Sequence, residues 1–588
     1  MALAAGLGAP AAALSLPLRS IREWATCDET KDSAKEIAKA FAAAKNAAFA
    51  LNVDCPVFAH IGSDIARPIF IDDKTTVIFS GTGKIVVDNL FIPAFVLANV
   101  SNVTLKNWRI QYSAVVPVNP RTGGYYNDGV FISSPSSAMT PQAGAFNDGT
   151  LRLWLSRNRG VKFADGAARG TPRWTGPVMS AAIFHFRGTT ANVTVSGLKV
   201  FAPQNAGVDA FAPNVFSFNI GPKNNQTVTA SSPIDATTSA IPSNLTFSDI
   251  DFDGTYMGFN GTVRNSTFAG VRSHRYGDLQ TKSGGSPGGV GKWFAPPHLF
   301  YLNYDGAITD ASLVTQGVSI VDVIDYGVRL GVARDKNDGG QNSGNALSLK
   351  IGGFDILVDG YESHRPDGLL DLLQSEGVTI RNVKATYDSS FMNYIYPAIR
   401  FPGGSHPALP GYKNVALTSV SLADLAASTS VVPIRMSTVG VNSGVVISDA
   451  AFSLNRWSAS TLQDLMRSAA LVKGSGHKIS FVYNVVAPGT SAPASVASGL
   501  SGSMSWFLAV APNATTVGGS ALLTYAATGA KVCRAGPTWS NGGKFSGGAL
   551  VTSPLPAPAP YSLTCAGKDG SVGGSTVKVT YKLALPSN

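Results

Sequence analysis

Short β-branched runs, most of them opened by asparagine or glycine, recur from residue 102 to residue 447, and few architectures can use such a pattern. They include Asn102-Val103-Thr104-Leu105, Asn192-Val193-Thr194-Val195, Asn244-Leu245-Thr246-Phe247 and Gly317-Val318-Ser319-Ile320. Phe354-Asp355-Ile356-Leu357, Gly377-Val378-Thr379-Ile380, Asn414-Val415-Ala416-Leu417 and Gly444-Val445-Val446-Ile447 continue the series. Several are followed at once by a second short strand, as in Asn107-Trp108-Arg109-Ile110 and Asn382-Val383-Lys384-Ala385. One such unit cannot bury its apolar side alone, whereas stacked copies build a continuous core. From Val318 onward the units start 36, 24, 37 and 30 residues apart, and hairpin turns between them are sparse, which argues against a β-propeller. A β/α barrel needs eight helices, and only one good helix is visible. The pattern predicts an all-β chain built as a parallel β-helix.

That one helix precedes the repeats. Ser33-Ala34-Lys35-Glu36 has capping-box spacing, and residues 34–48 are rich in helix formers with Ile37, Phe41 and Ala44 on one side. It is expected to cap the open N-terminal end of the core. The 62 glycines and 14% charged residues exclude a charged coiled coil, and 44% hydrophobic residues exclude a disordered chain. No apolar run is long enough to predict a membrane-spanning helix. The net charge of +10 permits an anionic partner, but dense Lys/Arg runs are missing, so no nucleic-acid partner is expected. Gly291-Lys292 ends a glycine-rich stretch, yet Trp293 follows where a phosphate loop needs Ser or Thr.

The four cysteines fall as two local pairs, Cys27 with Cys55 and Cys533 with Cys565. Two disulfides are expected, with four free buried thiols as the alternative. Together with an Ala-rich start, which reads as a signal remnant or a disordered arm over 1–19, they predict a secreted or periplasmic protein of bacterial type. Residues 20–486 are expected to form the catalytic β-helix and 487–504 a Pro/Gly/Ser/Ala linker. Residues 505–588 are expected to form a small β-sandwich.

With Ser20-Ile21-Arg22-Glu23-Trp24, the helix after Ser33, the rung from Phe70 to Gly83 and the repeated N-V-T-[LIV] strand, residues 20–490 resemble the pectate-lyase-like right-handed parallel β-helix superfamily. That group includes polysaccharide lyases, polygalacturonase-like hydrolases and tailspike-like proteins. The resemblance implies a fold, not a reaction. Residues 505–588, with their cysteine pair, resemble the immunoglobulin-like modules appended to secreted bacterial enzymes.

Long intervals between early rungs predict a cleft, because functional loops project from rigid scaffolds. They carry Tyr126, Asp128, Trp174 and Trp293, whose aromatic faces suit sugar rings. The densest polar cluster is Arg272 to Asp278, containing His274, Arg275, Tyr276 and Asp278, with Lys282 and His298 behind it. Arg329, Arg334, Asp335 and Lys336 follow one rung later, and Asp367 and Asp371 another rung on. Successive rungs lie about 4.8 Å apart, so these groups can converge on one surface. His274, Arg275, Tyr276, Asp278, His298, Arg334, Asp335 and Lys336 are the catalytic candidates. Tyr126, Asp128, Trp174, Asp209, Lys282, Trp293, Arg329, Asp367 and Asp371 are the substrate-binding candidates.

Such an inventory serves β-elimination on a uronate polymer, which needs a proton acceptor and a cation against the substrate carboxylate. It also serves hydrolysis, which needs two carboxylates flanking the bond. Asn205 to Asp209 resembles the polygalacturonase N-x-D-G-x-D motif but lacks its first aspartate. A non-catalytic glycan-binding adhesin is the third reading, and irregular rung lengths argue against it. The expected partner is a polysaccharide. No motif fixes a cofactor or a metal, with calcium left open, and oligomeric state is not legible.

Overall fold

A computed structural model describes residues 16–581 except 62–67, 88–92, 113–125, 128–129, 132–161, 164–181, 202–213, 224–226, 229–234, 256–257, 275–297, 303–308, 328–346, 365–367, 388–397, 403–407, 410, 425–433, 437–444, 449, 455–478, 487–492, 502–503, 512–513, 516–521, 537–546, 552–558, 569 and 571. The repeats stack as parallel strands on three faces of a parallel β-helix, visited in the same order on each rung. The first face carries Phe95–Ala98, Ala182–Arg187, Asn214–Asn219, Phe259–Gly261, Phe300–Leu302, the start of Leu347–His364, Gly368–Glu376 and Ile399–Phe401. The second carries Thr76–Phe79, Ser101–Lys106, Ala191–Ser196 and the first halves of Ser243–Asp253, Arg264–His274 and Gln316–Asp325. The third carries Lys84–Val87, Arg109–Tyr112, Lys199–Phe201 and the second halves of those long strands. Val318 lies opposite Ile356 rather than Val378's expected predecessor, Phe354, which pairs with Gln316.

Two ladders of left-handed residues turn the chain between faces. Asn102, Asn192, Asn244, Asn265, Gly317, Asp355, Gly377 and Asn414 open the second-face strands, and each has a positive φ. Asn, Asp and Gly tolerate that region where other side chains clash, which is why the runs begin with them. The amides also stack: Asn192 Nδ2 donates to Asn102 Oδ1 and Asn244 Nδ2 to Asn192 Oδ1, both at 3.3 Å. Asn107, Gly197, Asp249, Gly270, Asp322, Gly360, Asn382 and Ser419 form the second ladder, between the second and third faces. At Gly317 (φ +65°) a Cβ would sit 2.6 Å from Asn265 Oδ1. Gly317→Ala is therefore expected to lower stability by about 1–3 kcal/mol, read as a shift of the urea midpoint without loss of cooperativity.

Inside, one aromatic from each rung of the first face stacks on the next. Phe95, Phe184, Phe216, Phe259 and Phe300 follow one another at ring spacings of 5.3, 5.2, 5.1 and 4.7 Å. The helix Ala34–Ala43 closes the N-terminal end, its Phe41 lying 5.8 Å from Trp108 and 6.0 Å from Phe95. Ser33 makes no side-chain cap bond; Asp32 Oδ1 accepts instead from the backbone N–H of Ala34 (2.9 Å) and His60 (3.0 Å). The helix stops at Ala43, short of residue 48, because Asn46 and Ala47 take left-handed backbone. Cys27–Cys55 joins the segment before the helix to the first rung, and Cys533–Cys565 also forms. Among the described residues no helix is long and apolar enough to cross a membrane.

Ile479–Val486 is the seam at the other end. It runs parallel to Ala450–Leu454 on one side and antiparallel to Pro493–Ser501 on the other. The expected linker, 487–504, thus contains a nine-residue strand: its small Ser, Ala and Val residues pair as a strand despite their loop-like composition. Pro493–Ser501, Met504–Ala511, Leu522–Thr528 and Gly547–Val551 form one antiparallel sheet. Ala530–Ala535, Ala559–Gly567 and Val572–Tyr581 form a second, and Trp506, Leu508, Tyr561 and Leu563 share one core. Cys533 and Cys565 are directly opposed on neighbouring strands of one sheet. In immunoglobulin domains the corresponding cystine joins the two sheets.

Candidate functional site

The long excursions of the chain are concentrated at the two edges of the first face. Residues 113–181, 202–213, 275–297 and 328–346 connect third-face strands to the next first-face strand, and 220–242 and 303–315 connect the first face to the second.

Alternation puts one residue of each short first-face strand outward while its neighbours fill the core. Strand register aligns these residues in a row: Val96, His185, Ser217, Asn260, Tyr301, Lys350, Asp371 and Arg400. Most of the row is polar although the residues flanking it are Phe, Leu and Ile, with Gly261 the one exception. Its first half is buried, with His185 and Ser217 at no more than 1% exposure. Asn219 Nδ2 lies 3.3 Å from His185 Nδ1. Burial, helped by the nearby Arg187 charge, depresses the His185 pKa to about 3, so this imidazole is neutral at physiological pH.

That shift has a pH consequence. The unfolded histidine takes up a proton near pH 6.5, while the folded one resists protonation down to about pH 3. Its contribution is present above pH 6.5 and is lost as pH falls, by up to about 1.4 kcal/mol per unit. His185→Gln is expected to flatten the slope of unfolding free energy between pH 6 and 4, measured by urea titrations at each pH.

The second half of the row is more accessible and strongly charged. Lys350 Nζ lies 4.7 Å from the centre of the Tyr301 ring and 3.9 Å from Asp371 Oδ2. Arg400 grips the same carboxylate with both sides of its fork, Nε to Oδ1 at 2.9 Å and a terminal nitrogen to Oδ2. Asp371 is fully buried, whereas the Lys350 and Arg400 side chains are 21% and 31% exposed. The carboxylate thus holds two cations in place while their outer edges face solvent. His298 is buried beside Tyr301, the two rings 4.8 Å apart. Beneath the edge of this face, Asp325 Oδ2 accepts from Ser348 and Ser363, and Ser348 Oγ lies 2.6 Å from the Tyr361 hydroxyl. Burial, with the Asp325 charge close by, pushes the Tyr361 phenol well above its ordinary range, so it stays protonated in the network.

A different group forms where third-face strands end. His274 stacks on Tyr326 at 4.4 Å, and Tyr326 on His364 at 5.8 Å, one ring per rung. His274 Nε2 lies 3.5 Å from Asp251 Oδ1 and His364 Nε2 lies 3.0 Å from Glu362 Oε1. His274 and His298, grouped together by the sequence, therefore belong to different contact groups on different faces. Among the described residues no set of three His, Cys, Asp or Glu side chains could hold a metal ion.

Of the other candidates, Tyr126 pairs with Phe131 in a short antiparallel hairpin. Arg275, Tyr276, Asp278, Lys282, Trp293, Arg329, Arg334, Asp335, Lys336, Asp128, Trp174, Asp209 and Asp367 lie outside the described residues. Asp371 is placed in the row, fully buried, with both carboxylate oxygens taken by Arg400 and Lys350 3.9 Å away. Sequence reasoning missed Tyr301, Lys350 and Arg400.

No family model matches the chain, and no curated protein matches it. Among solved structures it is similar to endo-xylogalacturonan hydrolase from Aspergillus tubingensis, at 11% identity over 76% of this chain and 97% of that one, with a TM-score of 0.35. The Dettilon tailspike protein matches at 10% identity over 96% and 91% of the two chains, TM-score 0.35. The catalytic domain of a GH87 alpha-1,3-glucanase matches at 10% identity over 76% and 66%, TM-score 0.31.

Proposed function

We propose that this chain is an extracellular enzyme that cleaves an acidic polysaccharide by β-elimination, with the sugar chain lying along the outward side of the first face. The observation that carries this reading is the arrangement of Lys350 and Arg400, both partly exposed, on one buried aspartate beside the accessible Tyr301 ring. Two cations fixed side by side suit a substrate carboxylate, and neutralising it is what lets negative charge build up on the adjacent carbon. Tyr301 serves as the proton carrier. Its ionised phenolate takes the C5 proton, the C5–H electron pair forms the C4–C5 double bond, and the C4–oxygen bond breaks with its electrons leaving on oxygen. The departing oxygen takes that proton back from the Tyr301 phenol, which returns the base to its starting form. Arg400 and Lys350 hold the carboxylate throughout.

Hydrolysis is the weaker reading, because it needs one carboxyl kept protonated and a second ionised. Asp371 is the only carboxylate in the described row, and its two oxygens are occupied by Arg400. Two disulfides accord with a protein that works outside the reducing cytosol.

The test is a panel of acidic and neutral polysaccharides, read in parallel by ultraviolet absorbance of an unsaturated product and by new reducing ends. Both signals are expected to rise on a uronate polymer. Reducing ends alone would replace elimination by hydrolysis, and silence on every polymer would favour a binding protein.

A further inference from the structure

A pocket of about 390 Å³ lies at the edge between the first and second faces, walled by parts of the insertions 220–242 and 303–315. Ile241 and Leu313 give it an apolar floor, and Asn244 and Asn265 of the turn ladder line one side. Among the described residues its charged lining residues are Lys223 and Arg264; Asp310 stands next to the wall, its carboxylate accepting from the backbone N–H groups of Ala236 (2.6 Å) and Ser312 (2.8 Å). Lys223 Nζ donates to the backbone oxygen of Ala236 at the rim. Arg264 is braced by bonds from its terminal nitrogens to Ser312 O (3.3 Å) and Gln316 Oε1 (3.1 Å). Its Nε and the Ser312 hydroxyl, both on residues lining this pocket, are buried without any hydrogen-bond partner.

An apolar floor, amides one rung apart and two cations among the lining residues match the surface of a single acidic sugar, which has an apolar ring face, hydroxyls and a carboxylate. We infer that this pocket is a second carbohydrate site, taking one uronic-acid unit of the polymer that the first face cleaves. The source of the ligand rests on the proposed function; the pocket's preference for an acidic sugar does not.

The test titrates the full chain, carrying Lys350→Ala to weaken the first-face site, with glucuronate, glucose and inorganic sulfate by calorimetry. Glucuronate is expected to bind saturably and more tightly than the other two. Lys223→Gln, Arg264→Gln and the plugging variant Ala236→Trp, each added to that background, should weaken it about tenfold or more. Ala236 is exposed, so its replacement tests the pocket even if the Arg264 variant fails to fold. Glucuronate binding that survives Ala236→Trp, or sulfate bound as tightly as glucuronate, would overturn the assignment. Because binding is read without turnover, a chain inactive on every polymer would sink the proposed reaction and leave this result standing or falling by itself.

Discussion

Asp371→Ala is expected to be the most damaging single substitution in the first face, costing about 3–5 kcal/mol of stability and most of the activity. The carboxylate is fully buried and bridges Arg400 and Lys350. Removing it leaves two cations crowded together without their counter-charge, and the fork that orients Arg400 is lost. Urea unfolding would measure the first effect. The second should appear as a fall in kcat/KM larger than the unfolded fraction accounts for. Asp371→Asn keeps the shape but not the charge and should fall between the two. A variant as stable and as active as the parent would show that the buried aspartate positions nothing.

Lys350→Ala and Tyr301→Phe make the complementary prediction, a large kinetic effect with little structural one. Both side chains lie partly exposed on the outward row, so truncation opens no core cavity. Removing the phenol hydroxyl should lower kcat by about a hundredfold to ten-thousandfold, the range of proton-transfer catalysis. Removing the ammonium should cost about a hundredfold or more in kcat/KM, as expected for a group that stabilises developing charge. Unfolding midpoints of both variants should stay within about 0.5 kcal/mol of the parent. Equal loss of stability and activity would mark the pair as packing residues.

The fold was legible because its signal is local. A left-handed turn residue is needed at the start of every second-face strand, and Asn102, Asn192, Asn244 and Asn265 announce it one rung at a time. The cysteine pairs were legible for the same reason. The site was not, because it is written across rungs. Phe300-Tyr301-Leu302, Leu349-Lys350-Ile351, Leu370-Asp371-Leu372 and Ile399-Arg400-Phe401 share one pattern, an outward polar residue between two core residues. Each is only three residues long and unequal insertions separate them, so hydrogen-bond register alone brings them into line. Phe184-His185-Phe186 and Phe216-Ser217-Phe218 obey the same rule, and a search for such triplets would have found the row. The polar density of 272–278 drew attention instead to His274, which sits on the third face in a ring stack. Composition misled at 487–504, where small residues read as linker although Pro493–Ser501 has the pairing partners of a strand.

The most direct test of the account is to cleave a defined oligouronate in heavy-oxygen water and weigh the products, with the Tyr301→Phe variant alongside. Elimination adds no water: the product masses should sum to that of the substrate, with no heavy oxygen beyond the reducing-end exchange of an uncleaved control, and the variant should release almost nothing. Product masses that sum to substrate plus one water, or a variant as fast as the parent, would contradict elimination at the first face.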